Sequence, residues 1–158
     1  MTDSRSNDQL DLIMAQVRWH ARPERFVVAA LEPRERLLAL RLLLGVAGSF
    51  WQFIVEPDML TLVIAESDWR PISHAFPHAR VERPYRVISF DLDLPDSLVG
   101  FLAAISGALA AAGVPLLAIC AYSKDHLLVR EEHLDTALGA IGALVAETKQ
   151  PGAPGDGG

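Results

Sequence analysis

Apolar and polar positions change period several times along the chain, and the second half shows it most clearly. Over 85–92 they alternate, with Arg86, Ile88, Phe90 and Leu92 on one face and Val87 on the other, which predicts a strand. Pro95, Asp96 and Ser97 stop it. Asp96 or Ser97 can then cap a helix by accepting a first-turn backbone N–H. Leu98, Phe101, Leu102, Ile105 and Leu109 recur at helical spacing, so a helix is predicted over 98–112, with Gly113 as its stop. Strands over 116–122 and 127–130 follow, joined by a tight turn at Ser123, Lys124 and Asp125. A last helix over 131–147 carries Leu134, Ala137, Leu138, Ile141 and Leu144 or Val145 on its apolar face. The order β-α-β-β-α is five sixths of a ferredoxin-like βαββαβ unit.

The first half repeats the pattern less cleanly. Residues 26–31 read as a strand, and 37–44 as a helix preceded by Pro33 and ended by Gly45. Residues 50–55 and 59–65 read as a hairpin across Glu56, Pro57 and Asp58, and a helix over 10–19 precedes everything. Residues 69–78 are too rich in Pro and His to assign. The chain thus reads as a degenerate tandem repeat: an N-terminal unit over 8–82, a C-terminal unit over 83–147 and a boundary near 80–84. The tails at 1–7 and 148–158 are expected to be disordered. The C-terminal unit lacks its final strand, because the Pro- and Gly-rich tail cannot form one. A strand from the first half is the candidate for that place, which would interlock the units. The expected fold class is α+β: tandem ferredoxin-like units, antiparallel sheets with helices on one face.

Composition excludes several functions. Hydrophobic residues make up 51% and charged residues 22%, a globular balance. Fourteen basic against twenty acidic residues leave a net charge of −6, and Lys and Arg form nothing larger than pairs such as Arg34 and Arg36. No nucleic-acid footprint is expected. Cys120 is the only cysteine, which excludes an internal disulfide and a zinc site of paired cysteines; in an apolar strand it reads as an inert buried thiol. The polar start carries no secretory signal, so a cytoplasmic location is expected. The uncharged stretch 97–123 is broken at Gly113, Val114 and Pro115 after roughly fifteen helical positions, short of a bilayer core of about 30 Å. No membrane span is expected. His74 and His78 are four apart, but Pro77 lies between them and no acidic ligand accompanies them, which argues against a metal. Trp19, Trp51 and Trp69 read as core or interface anchors. No nucleophile elbow, P-loop or dinucleotide fingerprint is present, and no cofactor is expected.

Residues 98–106, Leu-Val-Gly-Phe-Leu-Ala-Ala-Ile-Ser, and 120–129, Cys-Ala-Tyr-Ser-Lys-Asp-His-Leu-Leu-Val, resemble the ACT-domain superfamily. The likeness is to small bacterial proteins with two ACT-like units, related to the regulatory ACT domains of aspartate kinases and to arginine-sensing tandem ACT proteins. It implies βαββαβ units, an amino acid bound at an interface between them, and no catalysis. A homodimer acting through a partner protein would suit such a sensor. Carried over residue by residue, the resemblance implies ligand contacts at Leu98, Val99, Gly100 and Asp125. Cys120 stands where relatives often have Ser, and Lys124 lies beside Asp125.

The residues themselves allow that chemistry. An amino acid needs N–H donors for its carboxylate and an acceptor for its ammonium. In a helix starting at Leu98, the N–H groups of Leu98, Val99 and Gly100 have no intrahelical partners. Gly100 would let a ligand approach the backbone, and Asp125, Asp93 or Asp96 could accept from the ammonium. Each residue also has a plainer reading. Gly100 can serve helix–sheet packing, Asp125 can be an ordinary turn residue, and His126 is either a half-buried polar residue or a ligand contact. Three functions follow in order of preference: an amino-acid sensor, an oligomerisation module with a degenerate site, and a small enzyme using Asp125 and His126 as an acid–base pair.

Overall fold

The computed structural model describes residues 4–48, 50–91, 99–122 and 124–149. In chain order the elements begin with α1 (Ser4–Gln16), β1 (Trp19–Ala21), β2 (Phe26–Leu31), α2 (Arg36–Leu43), β3 (Trp51–Val55) and β4 (Leu60–Ala65). They continue with α3 (Glu66–Ile72), β5 (Arg80–Phe90), α4 (Phe101–Ala111), β6 (Leu116–Cys120), β7 (Asp125–Arg130) and α5 (Leu134–Lys149). The chain forms two compact units, a continuous one over Arg22–Val87 and a discontinuous one made of Met1–Ala21 and Ile88–Gly158.

The continuous unit is a complete βαββαβ, with antiparallel strands in the order β3-β4-β2-β5. Val27, Ala29 and Leu31 of β2 and Leu60, Leu62 and Ile64 of β4 point to one face by strand alternation. Ala39 and Leu43, four apart on α2, close over that face. The entry to α2 is set locally: Pro33 opens a 3₁₀ turn, and the Glu32 N–H donates to Glu35 Oε2 at 2.8 Å in a capping box. Residues 69–78, unassigned from the sequence, form the end of α3 and a 3₁₀ turn over Ser73–Ala75. Trp69 is buried there and stacks on Phe76 at 5.8 Å. That anchoring outweighs Pro71, which lies near the end of the short helix.

The boundary expected near 80–84 lies inside β5. Between Phe26↔Tyr85 and Val28↔Glu82, β5 spends one residue more than β2, so it bulges at Arg83 and Pro84. Pro84 has no N–H to give to a ladder, and a bulge tolerates it. Its Pro and charges therefore imitate a linker in the sequence while the backbone continues as strand.

The discontinuous unit takes the last three residues of β5, with β7 and β6 on one side and β1 on the other. Trp19, His20 and Ala21 pair antiparallel with Phe90, Ser89 and Ile88. β1 thus takes the strand position beside the end of β5 in this unit. The division at 8–82 and 83–147 differs from this. Residues 8–21 join the C-terminal half because Met14 and Val17 are buried in one core with Phe90, Phe101, Ile105, Leu109, Leu127 and Ile141. Trp19 accordingly ends up in a strand rather than a helix, and α1 begins at Ser4, inside the stretch expected to fray. At the other end α5 runs to Lys149, and 150–158 lie outside the described residues. Among the described residues no helix is long and apolar enough to cross a membrane.

Candidate functional site

Three polar side chains of the discontinuous unit meet where β5 ends. Ile88 and Phe90 are committed to the core, so the residue after the strand is the first free to be charged. That residue is Asp91. Its N–H donates to the Arg18 carbonyl at 2.8 Å, extending the β1 pairing by one step. Lys124, in the turn between β6 and β7, places Nζ 2.6 Å from Asp91 Oδ1, and His20 of β1 places Nδ1 2.8 Å from Oδ2. The β6–β7 turn is held by the Ala121 N–H donating to the Lys124 carbonyl at 2.9 Å.

Lys124 holds the Asp91 carboxyl below the ordinary carboxylate range; partial burial opposes this, and the His20 hydrogen bond and the electrostatic pull of both neighbours add to it. A lowered folded-state pKa stabilises above the ordinary carboxylate value, and the contribution is lost as pH falls through Asp91's own titration. With these side chains a third to a half exposed, that contribution is small. Lys124→Ala removes the principal cause, so the Asp91 carboxyl should titrate at higher pH, as followed by its side-chain NMR shift. An unchanged titration would mean the ion pair is not formed in solution.

Asp125 is the first residue of β7 and stands opposite Cys120 in the ladder. This corrects two expectations. Asp125 is a strand residue rather than a turn residue, and Cys120 is exposed rather than buried, because β6 is the outermost strand. The adjacent carboxylate, followed by partial burial, pushes the thiol pKa up and keeps it a poor nucleophile. His126 points to the opposite face from Asp125, is only 5% exposed, and shares a 2.9 Å hydrogen bond with Ser89. Burial under the sheet separates it from Asp125, and the pair has no acid–base geometry.

The helix start also differs from expectation. α4 begins at Phe101, with Gly100 as its N-cap in the left-handed region at φ 96. The N–H groups without helical partners therefore belong to Phe101, Leu102 and Ala103; the Ala104 N–H already donates to the Gly100 carbonyl at 2.8 Å. Leu98 and Asp96 lie outside the described residues, as does Asp93. Val99 is 70% exposed. Gly100 is favoured by its φ, and a Cβ there would sit 3.2 Å from Leu10 Cδ2, a tight contact with the flexible end of that side chain. Sequence reasoning missed His20 and Asp91. Asp91 was legible as the first charge after an apolar strand, but His20 enters only through the β1–β5 pairing. Among the described residues no group of three or more His, Cys, Asp or Glu is placed to hold a metal ion.

Residues 80–142 match the family model of the ACT domain. No curated protein matches the chain. Among solved structures, it is similar to a protein of unknown function from Vibrio cholerae, described as a possible transport protein. That likeness has 22% identity and a TM-score of 0.69, and covers 89% of this chain and 98% of that one. The regulatory subunit of aspartate kinase from Thermus flavus is similar at 12% identity and a TM-score of 0.60, over 80% of this chain and 95% of that one. The aspartate kinase of Clostridium acetobutylicum is similar at 14% identity and a TM-score of 0.65, over 82% of this chain but 34% of the enzyme. At these identities the structural likeness concerns the fold.

Proposed function

This chain carries an ACT domain over residues 80–142, and from that premise we propose that it is a non-catalytic regulatory protein binding an amino acid or a similar zwitterion. The observation supporting this is the polar cluster Lys124–Asp91–His20 at the end of β5. A zwitterion can replace those pairings: its carboxylate suits Lys124 and the N–H groups opening α4, and its ammonium suits Asp91 and Asp125. Side chains this exposed exchange one partner for another at little cost. On the resemblance, Val99 and Gly100 belong to the same site, together with Leu98; Asp96 is a further acceptor for the ammonium. His126 supports the strand that carries Asp125. The protein acts in the cytoplasm as a homodimer, through a protein partner.

One observation favours a second reading. Both Asp91 oxygens already have partners, as expected of an oligomerisation module whose ligand site has degenerated. Thermal shift against the twenty amino acids separates the two. A ligand at about a hundred times its Kd should stabilise by roughly 2.7 kcal/mol. Lys124→Ala and Asp125→Ala should each abolish the shift while leaving the unliganded melting curve cooperative. Silence with all twenty would favour the second reading.

A further inference from the structure

At the end of the continuous unit where β2 begins and β4 gives way to α3, Glu24, Arg25, Glu66, Ser67 and Arg70 line a hollow of about 390 Å³. The backbone builds its frame. Phe26 stands opposite Ala65 in the ladder, and the Glu66 N–H donates to the Arg25 carbonyl at 2.8 Å, carrying the pairing one step further. The segment before β2 is held at its other end as well. There the Arg22 N–H donates to the Val87 carbonyl and Arg86 Nη2 to the Arg22 carbonyl, each at 2.8 Å. Glu24 is thus fixed between two anchored residues. On α3, Glu66 and Arg70 lie four apart and share one face. Two features of the hollow call for a ligand. Glu24 Oε2 is buried yet accepts no hydrogen bond among the described residues, a costly and uncommon state for a carboxylate oxygen. The Arg70 side chain is exposed and joins no ion pair among the described residues. Glu66, by contrast, is engaged by Arg83, whose Nη1 lies 3.3 Å from Oε1.

We infer that this hollow binds a polyhydroxylated carboxylate, a ligand of the sugar-acid class. Its carboxylate lies on the Arg70 guanidinium in paired N–H···O bonds. One hydroxyl donates to Glu24 Oε2, and a further one exchanges hydrogen bonds with Ser67 Oγ. Charge balance selects an anion over a zwitterion. With Arg83 the cluster holds three guanidiniums, of Arg25, Arg70 and Arg83, against the two carboxylates of Glu24 and Glu66, an excess of one positive charge. The lining selects hydroxyls over hydrocarbon. Small-molecule pockets are usually lined chiefly by apolar and aromatic side chains, whereas all five residues here are polar. The volume lies within the usual range for such sites, about 300–1,000 Å³. The site belongs wholly to the continuous unit, shares no residue with the cluster at the end of β5, and does not rest on the zwitterion reading of that cluster.

Titration of the full chain with D-gluconate, followed by backbone amide NMR shifts, tests this. Gluconate should move the amides of residues 24–26 and 66–70 to saturation. Hexanoate keeps the carboxylate without the hydroxyls, and glucose keeps the hydroxyls without the carboxylate. Each should bind at least ~10-fold more weakly, as expected when a charged group loses its hydrogen-bond partner. Arg70→Ala, at an exposed position, should weaken gluconate binding by at least ~10-fold and leave the melting curve cooperative. Glu24→Ala should weaken it in the same direction and, by removing the unsatisfied oxygen, melt no lower than the wild type. Arg34→Ala, in the turn at the opposite end of β2, should leave binding unchanged. Gluconate that moves none of these amides, or only those around Asp91 and Lys124, overturns the site; the zwitterion reading is decided separately, by the amino acids. Hexanoate or alanine binding here as tightly as gluconate overturns the ligand class.

Discussion

Deleting residues 1–21 should abolish the fold of the discontinuous unit, although those residues are far in sequence from the rest of it. The deletion removes β1 from the side of β5 and takes Met14 and Val17, buried to 1% and 4% exposure, out of its core. Each of those side chains contributes about 1.5–3 kcal/mol by burial. Leu10, Ile13 and Trp19, packed against the same cluster, add to the loss. With the ladder bonds of β1 gone as well, the cost is comparable to the whole stability of a small domain, about 5–15 kcal/mol. Hydrogen exchange should show amide protection lost in α4, β7 and α5 and retained in β2 and β4, whose core lies within residues 22–87. Intact protection in α4 and α5 would refute the assignment of β1 to that unit.

The second large effect is expected at Phe90. Its ring is 1% exposed and meets Phe101 edge to face at 5.5 Å, joining β5 to the first turn of α4. Phe90→Ala should cost about 3–5 kcal/mol, the usual range for emptying a buried aromatic site. The lost ring pair accounts for about 0.5–1.5 kcal/mol of it. Urea unfolding should show a lower midpoint with an unchanged slope. A loss below about 1 kcal/mol would mean that the helix does not pack on β5 through this residue, since full burial of a Phe alone contributes more.

Much of the fold was legible in the sequence, for local reasons. Alternation marked the strand after residue 85, and apolar runs bounded by turn residues marked 26–31, the hairpin strands of 50–65 and the strands after residue 115; helical spacing marked α2, α4 and α5 to within a few residues. The structure bears out the tandem ferredoxin-like class, and the match over 80–142 bears out the ACT likeness. The misplaced boundaries had specific causes. Gly100, read as a first-turn residue, takes a left-handed φ and so caps α4 three residues late. Pro84 disguised the middle of β5 as a linker. Trp69 and Phe76 hold together a segment whose Pro and His hid its helix.

The candidate site was less legible. Asp125 and Lys124 were visible as neighbours in one turn-like stretch, whereas their contacts were not. Lys124 turns to Asp91, and Asp125 stands opposite Cys120 in the ladder. His126 next door is buried against Ser89 because successive residues of a strand face opposite ways. The exposure of Cys120 depended on β6 being an outermost strand, which residue type alone does not reveal.

By itself the sequence determined which segments become strands and helices and which of their faces are apolar. Those properties rest on backbone preference and on side chains within one or two turns of each other. Only the tertiary structure decided that β1 completes the C-terminal half, that β5 serves both units, and that His20, Asp91 and Lys124 meet at one place. The physical reason is that strand pairing is non-local: β5 offers hydrogen-bonding edges to whichever strand can also bury its side chains. Met14 and Val17, joined to Phe101 and Ile141 in one core, made that strand β1.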